Sequence, residues 1–428
     1  MIGHLKNLNE TLSIETKIFT NLMERWQQMA NPLLSPGLNT IDESYSSREN
    51  NFGAELMLRE TLFARHRLLA GCQFVQTEID PVIYSAKHPA PGASGSSEYR
   101  LLAAPDEKDQ TIALYIEDDW RLLNQLHLIF GLRMDHNELR EDGTKLLPRF
   151  SAILGMTPRW TAKYMFNTGY VRPPVGKSFL GQQPLVDTFF YGPLPSQGVE
   201  ESEEVFSHDL QLIYNQKKLE STLTAYHTTF DNAFNFYGRE TNTESGLIVP
   251  LYVNSSEITS YGIEFDFRHN LGSLFDWYGN YSWIIFAEMD TLSGTTATGI
   301  PYSWLNSYLV TDGKALTQFP HHSWNIGVNF LLHEAIRKLP HSSLNIHYRG
   351  WTDMWAENPD APGTHLMLGP EHFVDLNLLF KNIAAVKLDL ALYAKNVLDN
   401  DDSRYQLPMA GFWSVRGRSI GLRASYTF

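Results

Sequence analysis

Hydrophobic and polar residues alternate along most of this chain, most plainly at its end. Ile420, Leu422, Ala424, Tyr426 and Phe428 fall on one parity, and Gly421, Arg423, Ser425 and Thr427 on the other. A period of two sends successive side chains to opposite faces of a strand, so the stretch has one apolar and one polar face. The pattern recurs in Tyr261, Ile263, Phe265 and Phe267 against Gly262, Glu264, Asp266 and Arg268. It recurs again in Trp324, Ile326, Val328 and Phe330, in Leu344, Ile346 and Tyr348, and in Val374, Leu376, Leu378 and Phe380. About sixteen segments of barrel-strand length are predicted, near residues 11–28, 51–61, 65–78, 109–120, 126–138, 146–157, 160–172, 203–215, 217–231, 259–270, 274–288, 321–333, 342–354, 372–381, 385–397 and 416–428.

The connections sort by length. Those near 122–125, 215–218, 270–273 and 382–384 are tight, whereas 79–108, 173–202, 232–258 and 289–320 are long and alternate with them. Short turns on one side and long loops on the other are the signature of an all-β, antiparallel, up-and-down transmembrane barrel, with the carboxyl end on the turn side. Tryptophans fit interfacial girdles: Trp120, Trp160 and Trp277 at turn-side strand ends, and Trp324, Trp351 and Trp355 at loop-side ends. The long links are rich in Gly, Pro, Ser, Thr and acidic residues, so they read as exposed loops rather than further domains.

Composition narrows the function classes. The chain has 428 residues with a formal net charge of −14, which leaves no basic excess to neutralise the phosphates of a nucleic acid. Aromatics make up 13% of the chain, yet no run approaches the roughly 18 apolar residues of a membrane-spanning helix. Cys72 is the single cysteine, so neither an intrachain disulfide nor a cysteine zinc site is expected. The first ten residues hold Lys6 but no apolar segment of signal-peptide length.

Several segments together resemble the barrel of TonB-dependent outer-membrane receptors. Tyr115-Ile116-Glu117-Asp118-Asp119-Trp120, followed by a returning strand with Gly131-Leu132-Arg133-Met134-Asp135, is similar to a strand pair of that family. Pro148-Arg149-Phe150-Ser151 with Tyr170-Val171-Arg172-Pro173-Pro174, Gly262-Ile263-Glu264, Ala394 to Asn400 and the terminal Phe428 resemble its other markers. The resemblance implies a bacterial outer-membrane receptor for active uptake of a scarce bulky nutrient, an iron–siderophore complex being the commonest ligand. It also implies as partners outer-membrane lipid and lipopolysaccharide, the barrel-assembly machinery, a small-molecule metal chelate and, through an amino-terminal segment, the TonB energy-coupling protein. Family barrels have twenty-two strands around a plug domain. With about sixteen strands read here, the expectation is one barrel domain over 1–428, truncated at its amino end, without plug or signal peptide, and a fragment of a longer product or a decayed gene product rather than an autonomous transporter. A passive sixteen-stranded porin is the alternative.

The polar parity supplies lumen candidates: Glu264, Asp266, Arg268, Arg349, Asp389 and Lys395 contact a plug or substrate route, or merely hydrate the lumen. Tyr237, Tyr302, Trp304, Trp355 and Trp413 stand near the external mouth, where broad rings grip a bulky solute or pack in the girdle and loops. Tyr426 and Phe428 are the expected assembly signal. His321 and His322, with His208, His227, His333 and His341, lack the spacing of a metal site, and no cofactor is expected. Gly-x-Ser-x-Gly, His-Glu-x-x-His and phosphate-loop motifs are missing from the sequence, so an enzyme is not expected.

Overall fold

The computed structural model describes residues 1–31, 41–80, 82–89, 96–104, 107–137, 143–172, 202–241, 248–290, 316, 319–357, 365–383, 387–400, 404–407, 411–414 and 417–426. Side chains are described for these except at 25–31, 41–47, 79, 82–89, 96–104, 107, 234–241, 248–256, 356–357, 365, 404–407 and 411–414.

Strands dominate: β1 (Ile2–Asn7), β2 (Leu12–Asn31), β3 (Ile41–Leu62), β4 (His66–Ile79), β5 (Val82–Pro89), β6 (Ser96–Ala104), β7 (Glu107–Leu123) and β8 (Leu126–Asn137) open the chain. There follow β9 (Thr144–Gly155), β10 (Trp160–Val171), β11 (Glu203–Gln216), β12 (Leu219–Thr241), β13 (Ile248–Asn270), β14 (Phe275–Met289), β15 (His322–Phe330) and β16 (His341–Trp351). The remainder are β17 (Met354–Glu357), β18 (His365–Leu368), β19 (Glu371–Ile383), β20 (Leu388–Lys395), β21 (Arg404–Leu407), β22 (Gly411–Ser414) and β23 (Ser419–Tyr426), with one helical turn at Leu332–Ala335. Among the described residues nineteen strands share one sheet; β5 and β6 form a side hairpin on β3, and the other seventeen run as one antiparallel meander. Its order is β1, β2, β3, β4, β7 to β16, β19, β20 and β23, each paired with the next. Among the described residues β1 pairs with β2 alone and β23 with β20 alone.

The meander has one strand more than the alternation predicts. β1 was missed because Ile2 to Asn7 is short and places His4 and Lys6 on its outward parity, so no greasy face shows. An odd number of strands also makes β1 run toward the turn side, not toward the loop side. Residues 232–258, expected as a long link, lie largely in β12 and β13, which continue past the sheet body as a two-stranded extension. Connections at 8–11, 63–65, 124–125, 156–159, 217–218, 271–274, 331–340 and 384–387 all fall at one edge, and the other edge includes the longest, 172–202 and 290–321.

Register sorts the side chains into two faces. Leu114, Ile116, Leu132, Leu212, Leu223, Phe265, Ile326, Leu392 and Leu422 share the outward face and are solvent-accessible, Leu422 at 63%. An apolar face of this breadth, exposed among the described residues, is a lipid-facing surface. The inward face is polar, and glycine lets it interlock. Tyr115 lies across Gly71 on the neighbouring strand, where an added Cβ would overlap the phenol ring, and its hydroxyl donates to Glu55 Oε1 two strands away at 2.8 Å. Tyr278 crosses Gly327 in the same way and accepts from Asn345 Nδ2 at 3.1 Å.

Gly71→Val forces Tyr115 off its site; overpacking of this kind costs about 1–3 kcal/mol, read as a lower urea midpoint of the folded barrel in micelles. Leu114→Arg puts a charge on the lipid face and is expected to cost about 2–4 kcal/mol near the bilayer midplane, checked by the folded fraction in lipid vesicles.

Candidate functional site at the loop-side inner wall

The loop-side ends of β7, β8, β9, β10 and β11 gather ionic groups that the sequence reading did not select. Arg133 Nε stands 2.7 Å from Asp135 Oδ1, and an Arg133 terminal nitrogen donates to Gln73 Oε1 at 3.0 Å. Asp135, 5% exposed, also accepts the Tyr170 hydroxyl at 2.8 Å on its other oxygen. Arg172 donates to that Tyr170 oxygen at 2.8 Å and to Thr111 Oγ1. Asn137 donates to Thr111 Oγ1 and to Asp109, closing the cluster, while Lys145 pairs with Glu204 at 2.5 Å between β9 and β11.

The cluster continues along the wall. The Arg133 guanidinium sits 5.9 Å from the Tyr115 ring centre, Tyr115 reaches Glu55, and Lys17 stands 3.5 Å from Glu55 and 3.2 Å from Glu15. Arg59 ends this branch on Glu15 at 2.6 Å, and Arg149 pairs with Glu117 across Gly131. Alternating charges on one wall leave a surface of hydrogen-bonding groups along the lumen. Such a surface offers hydrogen-bonding partners to water or to a polar solute in place of apolar side chains. The signal for these residues was present, since Tyr115, Arg133 and Asp135 share the polar parity. What alternation lacks is the side-to-side register that makes them neighbours.

The six lumen candidates stand on the inner face but are not one site. Glu264, Asp266 and Arg268 run down β13, and Arg268 lies 3.6 Å from Asp276. Arg349 lies on β16 with its guanidinium 4.8 Å from the ring centre of the fully buried Phe373. Asp389 has a local duty: its Oδ1 accepts the Asn382 backbone N–H at 2.8 Å and so fastens the β19–β20 turn. Lys395 ends β20, next to Asn396, whose backbone N–H donates to Asp375 and whose side chain bridges to Asn400.

Of the mouth aromatics, Trp355 lies in the β17–β18 hairpin, opposite Met367 and exposed. Tyr237 is a position of β12 and Trp413 of β22, and their side chains lie outside the described residues; Tyr302 and Trp304 lie outside altogether. Tyr426 faces outward, paired with Leu388, and Phe428 lies outside the described residues. The girdle assignment needs correction at two tryptophans. Trp351 shares the inward parity of Arg349 and packs on Phe373 with ring centres 5.3 Å apart, and Trp355 stands in a loop hairpin beyond the sheet. Both errors come from using strand ends alone: parity decides which face a residue joins, and where a strand really ends depends on its partner.

An inner wall of polar and paired charged groups, an apolar outer belt and turn–loop asymmetry define a transmembrane β-barrel wall of the outer-membrane kind. The family described as TonB dependent receptor-like, beta-barrel matches residues 7–397, so the chain belongs to that family and to the bacterial outer membrane. It is 24% identical over 301 residues to an iron-regulated outer membrane virulence protein of Vibrio cholerae serotype O1, strain O395, covering 67% of this chain and 40% of that protein. The chain thus spans about two-fifths of the length of the curated relatives it matches. Among solved structures, the copper transporter OprC superposes with a TM-score of 0.70 at 13% identity, covering 100% of this chain and 64% of OprC. The ferric citrate transporter FecA does so at 0.67 and 14%, covering 100% of this chain and 60% of FecA, and the ferric-catecholate import receptor Fiu from K12 E. coli at 0.62 and 13%, covering 99% and 62%. These similarities establish the fold, and family membership disfavours the porin alternative.

Asp135→Ala removes the carboxylate that pairs with Arg133 and accepts the Tyr170 hydroxyl. We expect a loss of about 1–3 kcal/mol in unfolding free energy, against about 1 kcal/mol for Tyr170→Phe, with the two effects less than additive in a double-mutant cycle.

Proposed function

We propose that this chain forms the barrel wall of a receptor that takes up a scarce, bulky metal chelate across the outer membrane, an iron–siderophore complex before other chelates. The observation that carries the reading is the family match over residues 7–397. The polar inner wall supports it, as do relatives described as iron-regulated and as importers of ferric catecholate and ferric citrate. In this reading the 428-residue chain works with a plug and a TonB-engaging segment that belong to the complete receptor. Tyr237, Tyr302, Trp304, Trp355 and Trp413 grip the ligand at the mouth. Glu264, Asp266, Arg268, Arg349, Asp389 and Lys395 line the route or face the plug, and Tyr426 and Phe428 address the chain to the barrel-assembly machinery.

Deleting the encoding gene in its native host is expected to abolish energy-dependent uptake of one radiolabelled ferric siderophore out of a panel, and to slow growth under iron limitation with that siderophore alone. Unchanged uptake of every panel member sinks the reading. In the intact receptor Trp355→Ala is expected to weaken ligand binding by roughly tenfold, the scale of one lost aromatic contact, measured by tryptophan-fluorescence titration.

A further inference from the structure

A row of histidines stands on the lipid-facing side. His208 on β11 pairs across the sheet with Phe166 and with His227 on β12, and His227 pairs with Tyr261, which stacks on Phe286 at 4.9 Å. Trp283 and His322 follow on β14 and β15, then Trp324, Tyr348 and His372 on β15, β16 and β19. All of them share the outward parity of the apolar belt.

Three of the four imidazoles are held alike. Tyr164, Tyr281 and Tyr348 hydroxyls lie 2.9, 2.7 and 2.9 Å from Nδ1 of His208, His322 and His372. A hydroxyl donating to Nδ1 leaves the imidazole proton on Nε2, a donor turned away from its tyrosine. Ring faces stand beside these donors: Trp283 is 5.7 Å from His322 and Trp324 is 6.0 Å from His372, centre to centre.

The row marks a boundary. Toward the turn side the outward positions are Leu210, Leu212, Leu223, Ile263, Phe265, Ile326, Val328, Ile346 and Leu376. Toward the loop side they are Thr229, Thr259, Glu288 and Thr352. In an outer-membrane protein the loop side meets the outer leaflet, so N–H donors and aromatic faces stand where its headgroups begin, above a surface suited to acyl chains.

We propose that this row binds the acylated, phosphorylated sugar headgroup of the outer-leaflet glycolipid. Ring faces of Trp283, Trp324 and Tyr261 meet the C–H faces of the sugar, and Nε2–H groups of the histidines donate to acyl carbonyl and phosphate oxygens. Glu288, one step above, repels a phosphate placed higher, which holds it at the imidazoles. A phospholipid headgroup offers the phosphate without the sugar faces, so it satisfies the row less well.

The test incubates the folded 428-residue chain with a bis-phosphorylated, acylated glucosamine disaccharide or with phosphatidylglycerol, removes loose lipid with detergent, and counts retained lipid by mass spectrometry. Wild type is expected to retain the glycolipid at least about fivefold over phosphatidylglycerol, the scale of one net hydrogen bond. The fourfold variant H208F/H227F/H322F/H372F keeps an apolar girdle and is expected to fall to the phosphatidylglycerol level, whereas glutamine at the same four positions keeps N–H donors and retains glycolipid. Equal retention of both lipids by wild type overturns the proposal, and so does undiminished retention by the phenylalanine variant. Heat-modifiable mobility confirms folding; if the fourfold variant does not fold, H322F/H372F is read by the same criterion.

Discussion

Lipid offers no hydrogen bonds, so a chain that crosses it with strands must give every backbone N–H and C=O a partner on a neighbouring strand. Between its two end strands, the seventeen-stranded meander answers that demand through continuous antiparallel ladders, each strand beside its sequence neighbour except where β5–β6, β17–β18 and β21–β22 interrupt outside the body. Sequence-adjacent pairing is also what makes the turns short, because an antiparallel return needs only a few residues. The alternating side chains follow from the same geometry, since a sheet between lipid and lumen has two faces of opposite demand.

The inner face has its own constraint. No apolar core stands behind it, so its polar groups must satisfy one another or meet water. Gly71 and Gly327 show how the wall manages this: removing a side chain from one strand opens a trough through which Tyr115 or Tyr278 reaches a partner two strands away. The resulting contacts tie strands beyond nearest neighbours and add side-chain cohesion to the backbone ladders. The network through Arg59, Glu15, Lys17, Glu55, Tyr115, Arg133, Asp135, Tyr170 and Arg172 belongs to that device, and it ends at the loop-side mouth.

Wall and mouth therefore divide the labour. The ladder and interlocked tyrosines tie the wall together, whereas the loop side carries long links free of the alternation rule. On the outer face, imidazoles and aromatic rings stand at the loop-side edge of the apolar belt.

Alternation alone revealed the class of fold, nearly every spanning strand, the turn-side and loop-side edges and the outward face, because a period of two and the need for a tight turn are local properties of the chain. It missed β1, whose His4 and Lys6 break the apolar parity, and it misread 232–258 as a link because pairing beyond the sheet body leaves no one-sided pattern. Tertiary structure decided what depends on register. It packed Trp351 on Phe373, gave Asp389 to the Asn382 turn, and brought Arg133 and Asp135 of β8 together with Tyr170 and Arg172 at the end of β10. It also aligned His208, His227, His322 and His372 into one row. Sequence fixes which face a side chain joins; only the lateral offset between strands, set by turns and bulges, fixes which neighbours it meets there.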